Sequence, residues 1–135
     1  MKTFTFSKTT MDNFLAFFRI VVSFLMINGH GLPKILKFFN GEELKFADPI
    51  GIGIVPSLVL ATFAEFFCSI MIIIGFKTRL ATLPLIVTMF VVIFIVDFSS
   101  PIQERETAIL YFLSYGVILF LGPGKYALDN VLKKK

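Results

Sequence analysis

Tryptophan is absent from this chain, cysteine and histidine occur once each (Cys68 and His30), and only 16% of the residues are charged. Each shortage excludes something. A single thiol forms no intramolecular disulfide and no Cys-x-x-C motif. A single histidine excludes a haem held by two histidines of this chain and any histidine-rich metal centre, so no metal site is expected. The charged fraction falls well below the roughly 25% of an average soluble domain, too little to cover a soluble fold of 135 residues. A soluble enzyme, a disordered chain and a disulfide scaffold are therefore set aside. Cys68, inside an apolar run, reads as a small packing residue.

In place of these the chain has apolar residues at 56%, Phe 18 times, and a mean hydropathy of +0.86. They fall in four stretches. The first runs from Phe14 to Ile27, broken by Arg19 and Ser23. The second runs from Ile50 to Phe76 with one charge, Glu65. The third, Leu80 to Val96, and the fourth, Thr107 to Leu121, have none. About 17–25 helical residues cross a bilayer core. A backbone in lipid must satisfy its own polar groups, which leaves helices or a closed barrel. None of the stretches alternates strictly, so helices are expected. The expectation is one all-α membrane domain over 1–135, a four-transmembrane-helix bundle with helices at about 12–30, 53–76, 80–97 and 105–122 and a tail at 123–135. The first stretch lacks a small-x-small cleavage site and is broken by Arg19, so it reads as a retained helix. Pro56 and Pro84 are expected near helix starts. Gly122-Pro123-Gly124 ends the fourth helix.

Lys2, Lys8, Lys77, Arg79, Lys125 and Lys133 to Lys135 fall on one side of this layout, and only Lys34, Lys37, Lys45 and Arg105 on the other. The positive-inside rule places both termini in the cytoplasm. The same rule accounts for the net charge of +4 without nucleic acid as a partner. Leu32, Ile35, Leu36 and Phe39 recur at helical spacing after Pro33, which predicts a short interfacial helix in the first outer loop. In the tail, Leu128, Val131 and Leu132 precede three lysines that either meet anionic lipid or stay solvated.

Arg19 and Glu65 stand where charge is costly, and such groups mark either a pair or a functional cavity. Their heights on antiparallel helices differ by only ~7 Å at about 1.5 Å per residue, so a direct or water-bridged pair is expected. Two alternatives stay open. Arg19 can snorkel to the headgroups or meet Asp12, and burial can leave Glu65 protonated. Polar or small residues form one stripe per helix: Ala16, Arg19, Ser23 and His30; Ala61, Thr62, Glu65, Cys68 and Ser69; Glu104, Ala108, Tyr111 and Tyr115. Turned inward, the stripes predict a ligand-binding pocket bounded by Arg19, Glu65, Tyr111 and Tyr115. His30, Asp97, Glu104 and Glu106 would lie at its outer rim. No catalytic residue is assigned.

The order and spacing of several short elements resemble the DoxX family of four-helix membrane proteins. They are Arg19-Ile20 with the segment Gly29 to Lys34, then Ala64-Glu65, Ile74-Gly75-Phe76 and Thr78-Arg79-Leu80-Ala81. Glu106-Thr107-Ala108-Ile109-Leu110-Tyr111, Gly122-Pro123-Gly124 and then Leu128-Asp129 complete the set. The glycines that often come after the second-helix Glu are replaced by Phe66, Phe67 and Cys68. The resemblance selects Glu106 on the fourth helix, whereas the helical stripe selects Glu104. It implies a bacterial cytoplasmic (inner) membrane protein, with relatives linked to quinone-coupled thiosulfate oxidation, oxidative-stress complexes and quinone resistance.

Three functions are compatible with these readings. The first is a quinone- or lipid-interacting subunit of a membrane oxidoreductase or stress-response complex, with no covalently bound cofactor and a quinone as ligand. The second is a non-catalytic module that stabilises a protein partner or a homo-oligomer. The third is a small transporter, for which four helices are few. Whether the chain is an enzyme stays open at this level.

Overall fold

A computed structural model describes residues 4–135. Lys2, counted above on the basic side, lies outside the described residues. Among those residues every regular element is helical. Helix α1 (Lys8–Met26) passes through a π-helical turn (Ile27–Gly31) into α2 (Leu32–Asn40). Helix α3 (Ile54–Thr62) passes through a second π-turn (Phe63–Cys68) into α4 (Ser69–Ile74). Helix α5 (Thr78–Val91) ends in a third (Val92–Val96), and α6 (Ile102–Leu121) and α7 (Leu128–Lys133) complete the chain. Three of the resulting rods, Lys8–Asn40, Ile54–Ile74 and Thr78–Val96, are long and apolar enough to cross a membrane. The fourth, α6, has 20 residues and packs along α5, but it opens with Gln103, Glu104, Arg105 and Glu106.

Boundaries reflect local chemistry. The Ser7 side chain accepts from Thr10 N–H and caps α1. Asp48, in the loop before α3, accepts from the N–H groups of Ile52 and Gly53 and from the Ser57 hydroxyl. That one carboxylate organises the whole approach to α3. Pro56 falls in the first turn of α3, as expected. Pro84 does not: α5 begins at Thr78, so Pro84 is internal. The Thr88 hydroxyl donates to Pro84 O nearby. The segment after Pro33 is helical, but α2 continues the first rod instead of forming a separate element. Pro33 therefore lies inside that continuous rod, two residues after the π-turn.

The core is a narrow column of Met26, Ala64, Cys68, Ile72, Leu85, Met89, Tyr115 and Ile118. Most large apolar side chains point outward instead: Phe17, Phe24, Leu80, Leu110 and Phe120 are all exposed. Apolar surface on this scale belongs against lipid.

The start of α1 and the tail lie at one end of the bundle, called here the terminal end. There α4 closes in a Schellman turn: Phe76 N–H reaches Met71 O at 2.9 Å and Gly75 N–H reaches Ile72 O at 3.1 Å. Gly75 has φ +80° and its Cα faces Ala127, where an added Cβ would come within 2.5 Å of the Ala127 Cβ. The tail therefore docks flat on this turn, and Asp129 N–H donates to Gly75 O at 2.8 Å. Its carboxylate accepts from Lys77 N–H at 2.6 Å and Thr78 N–H at 2.9 Å, so a residue some fifty positions away caps α5.

Burial works against the Asp129 charge, but these N–H donors and the nearby Lys133 outweigh it and hold the carboxyl below its ordinary range. A depressed folded-state pKa stabilises the docked tail above the unfolded value and loses that contribution as pH falls through the folded one. Tail docking is thus expected to be intact at neutral pH and to weaken in acid below ~4. Hydrogen exchange at the Lys77 and Thr78 amides checks this. Asp129→Ala should cost ~1 kcal/mol, the usual worth of a helix cap, and flatten the acid dependence.

Candidate functional site

The structure separates the two intramembrane charges. Arg19 is only 2% exposed, yet no carboxylate among the described residues pairs with it. Its guanidinium donates from Nε to Pro123 O at 3.1 Å, from Nη1 to Ile72 O at 2.7 Å and to Ile73 O, and from Nη2 to Tyr126 O. These carbonyls belong to the end of α4 and to the non-helical tail, and Ile72 O also accepts Gly75 N–H in the turn that closes α4. Arg19 neither snorkels nor meets Asp12, whose carboxylate instead accepts Lys125 N–H. The expected Arg19–Glu65 pair does not form. The height difference allowed it, but the guanidinium points toward the terminal end and makes four hydrogen bonds there.

Glu65 pairs with Lys34 instead. The carboxylate is 4% exposed and the lysine side chain 17%, so the pair is largely withdrawn from solvent. Gly31 makes it possible: a Cβ there would lie 2.7 Å from Glu65 O, so the first two rods cross backbone to backbone at this level. One turn past the crossing, Lys34 stands over Glu65. Its ammonium also lies 3.5 Å from His30 O and 5.9 Å from the Phe46 ring.

The three π-turns converge on this region. The first contains His30, the second contains Glu65, and the third ends at Asp97, whose N–H closes a π-type bond to Val92 O. A π-turn inserts one residue and rotates the helix beyond it, and such turns gather at functional sites. His30, Lys34, Glu65, Asp97, Glu104 and Tyr111 all line one cavity of about 350 Å³. Its remaining wall is mainly apolar, with Leu60, Ala61, Val87, Val92 and Ala108, and the 46–50 loop closes one side. The His30 and Tyr111 rings meet edge to face at 5.6 Å.

Of the pocket expected from sequence, Glu65 and Tyr111 line this cavity and Arg19 does not. Tyr115 lies one turn from Tyr111 along α6, stacked on it at 6.2 Å, but is wholly buried and forms no part of the wall. Its hydroxyl faces those of Ser69 and Ser23 without closing a hydrogen bond of good geometry. Of the expected rim, His30, Asp97 and Glu104 line the same cavity as Glu65, while Glu106 is exposed and turned away. The α6 helix starts at Ile102, four residues before Glu106, so the stripe through Glu104, Ala108 and Tyr111 holds its register.

Lys34 is the residue that sequence reasoning missed. It continues the stripe of Arg19, Ser23 and His30 at helical spacing, and it closes the Gly29–Lys34 segment. Assigning it to a separate surface helix hid that continuity.

Three apolar rods around a charged, half-enclosed cavity define an all-helical membrane protein. The DoxX family model matches residues 14–97, from α1 through the third π-turn, and so includes His30, Lys34, Glu65 and Asp97. The chain is also 36% identical over 132 residues, 90% of its length and 92% of the relative's, to a protein of Haemophilus influenzae described as uncharacterized. No solved structure matches it. The chain belongs to the DoxX family.

Removing one member of a buried pair costs about 3–5 kcal/mol because the other charge is left unpaired. Lys34→Met and Glu65→Leu are each expected to destabilise the protein in detergent by that order, with the double change milder than their sum. Arg19→Leu combined with Glu65→Leu should be additive, since the two share no partner. Thermal unfolding of the five variants checks both statements.

Proposed function

We propose that this DoxX-family protein is a four-span protein of the bacterial cytoplasmic membrane that binds a lipid-soluble quinone and serves as a quinone-interacting subunit beside a partner oxidoreductase. The observation that carries this reading is the cavity itself: apolar walls with one polar end built from Lys34, Glu65, His30 and Tyr111. Its volume lies in the usual range for small-molecule sites. A quinone has a flat ring, two carbonyl acceptors and an apolar tail. The Lys34 ammonium and the Tyr111 hydroxyl are donors for a carbonyl, the His30–Tyr111 edge offers a ring contact, and Leu60, Val87 and Val92 suit the tail. One cysteine and one histidine supply no electron-transfer centre from this chain, so electrons would come from the partner.

In this reading α6 is the fourth span, and both termini face the cytoplasm. Apart from the buried Arg19, the terminal end carries Lys8, Lys77, Arg79, Lys125 and Lys133 to Lys135 against only Asp12 and Asp129, which favours that side under the positive-inside rule. The exposed Leu32, Leu36 and Phe39 of α2 then lie in the outer interface.

Two experiments test the reading. Purified protein in detergent, titrated with a short-chain ubiquinone, should gain thermal stability, and Lys34→Met or Tyr111→Phe should weaken binding about tenfold, the effect of losing ~1.4 kcal/mol. Binding that is no better than partition into empty micelles, or that both substitutions leave unchanged, overturns the quinone reading. In intact cells with Cys68 replaced by Ser, a membrane-impermeant thiol reagent should modify a cysteine at Asn40 and spare one at Lys134. The reverse pattern overturns the orientation.

A further inference from the structure

A second cleft lies at the terminal end, away from the Lys34–Glu65 cavity. Lys8, Lys77, Arg79, Lys125 and the Lys133–Lys135 run line it, around a volume of about 1200 Å³. Its two acids are occupied: Asp12 accepts Lys125 N–H at 3.1 Å, and Asp129 accepts the N–H groups of Lys77 and Thr78. Among the described residues no ion pair engages any of the cleft's basic side chains. The cleft therefore sets seven basic side chains against two carboxylates and carries a net positive charge. The tail creates it, because docking of Ala127 on Gly75 brings Lys125 and Lys133 back beneath the start of α5.

Basic residues at a membrane protein's end are ordinary; here they share one cleft with apolar side chains. Leu80, Leu121 and Val131 line the same space and are 60%, 57% and 56% exposed. Leu80 and Leu121 stand on the membrane rods themselves, at the start of α5 and the end of α6. A soluble anion would use the charges and leave these side chains in water. A phospholipid uses both.

We propose that this cleft binds an anionic phospholipid, its phosphate among the lysines and Arg79 and its acyl chains leaving along Leu80 and Leu121. A lipid with net negative charge gains from the excess of basic side chains, whereas a zwitterionic one brings its own cation to compete for the phosphate. Lysines near an anionic surface each strengthen such binding several-fold. This inference is independent of the quinone reading, which concerns the opposite end.

The test uses the full chain in neutral detergent and native mass spectrometry, with phosphatidylglycerol or phosphatidylcholine at equal concentration. Phosphatidylglycerol should be retained preferentially. The triple variant Lys125→Gln, Lys133→Gln and Lys134→Gln should lower that retention by about tenfold or more. The double variant Lys37→Gln and Lys45→Gln, at the other end, should not. Unchanged thermal unfolding in the triple variant shows that it is folded. Equal retention of the two lipids, or a preference that survives the triple variant, overturns the proposal. Complete displacement of phosphatidylglycerol by millimolar inorganic phosphate also overturns it, because the site would then read a free anion and not a lipid.

Discussion

The Arg19 guanidinium is the constraint on which the terminal half of this molecule depends. A cation withdrawn from water needs compensation, and backbone carbonyls in a low-dielectric interior need donors. Arg19 meets both needs together. It gathers Ile72 and Ile73 from the end of α4 with Pro123 and Tyr126 from the tail, so three separate parts of the chain must arrive at one point. With Pro123 and Tyr126 held, Ala127 lies on Gly75 and Asp129 reaches the start of α5. The cleft of basic residues beneath the bundle is a consequence of that docking.

The other end is organised by a different device. Three rods each contain a π-turn, and each turn delivers one ionisable group, His30, Glu65 or Asp97, to a common cavity. The close crossing at Gly31 then sets Lys34 over Glu65. The two cations thus have distinct tasks. Arg19 satisfies carbonyls and ties the chain together, whereas Lys34 neutralises a carboxylate at the edge of a space that a small molecule can fill. The structure is correspondingly polar in its charge: basic at the terminal end, and acidic on balance at the other, where Glu42, Glu43, Asp48, Asp97, Glu104 and Glu106 outnumber Lys34, Lys37, Lys45 and Arg105.

Helix existence was legible because it depends on runs of apolar residues, and the third rod began within two residues of the expected position. The inward faces of α3, α4 and α6 were legible for the same kind of reason: Glu65 and Tyr111 recur at helical spacing with small residues beside them. Glu104 was selected over Glu106 by that spacing, and the cavity lies on the Glu104 side. The continuity of α1 into α2 was not legible, since Pro33 and two nearby glycines read as an interruption. The π-turn contains both glycines and Pro33 follows it in α2, while Gly31 lets the crossing rod approach closely.

Composition and spacing alone settle that this protein lives in lipid, that its apolar segments are helical, which end is basic, and that Arg19 and Glu65 could not stand unpartnered. These are properties of composition and local period, which every residue carries before folding. The choice of partners came from packing. A long side chain in lipid can reach in several directions at similar cost, and helical spacing states a height and a face without stating which donor or acceptor is already taken. Arg19 found carbonyls of the chain's own tail and Glu65 found Lys34, because the Gly31 crossing and the Gly75 docking placed those groups within reach.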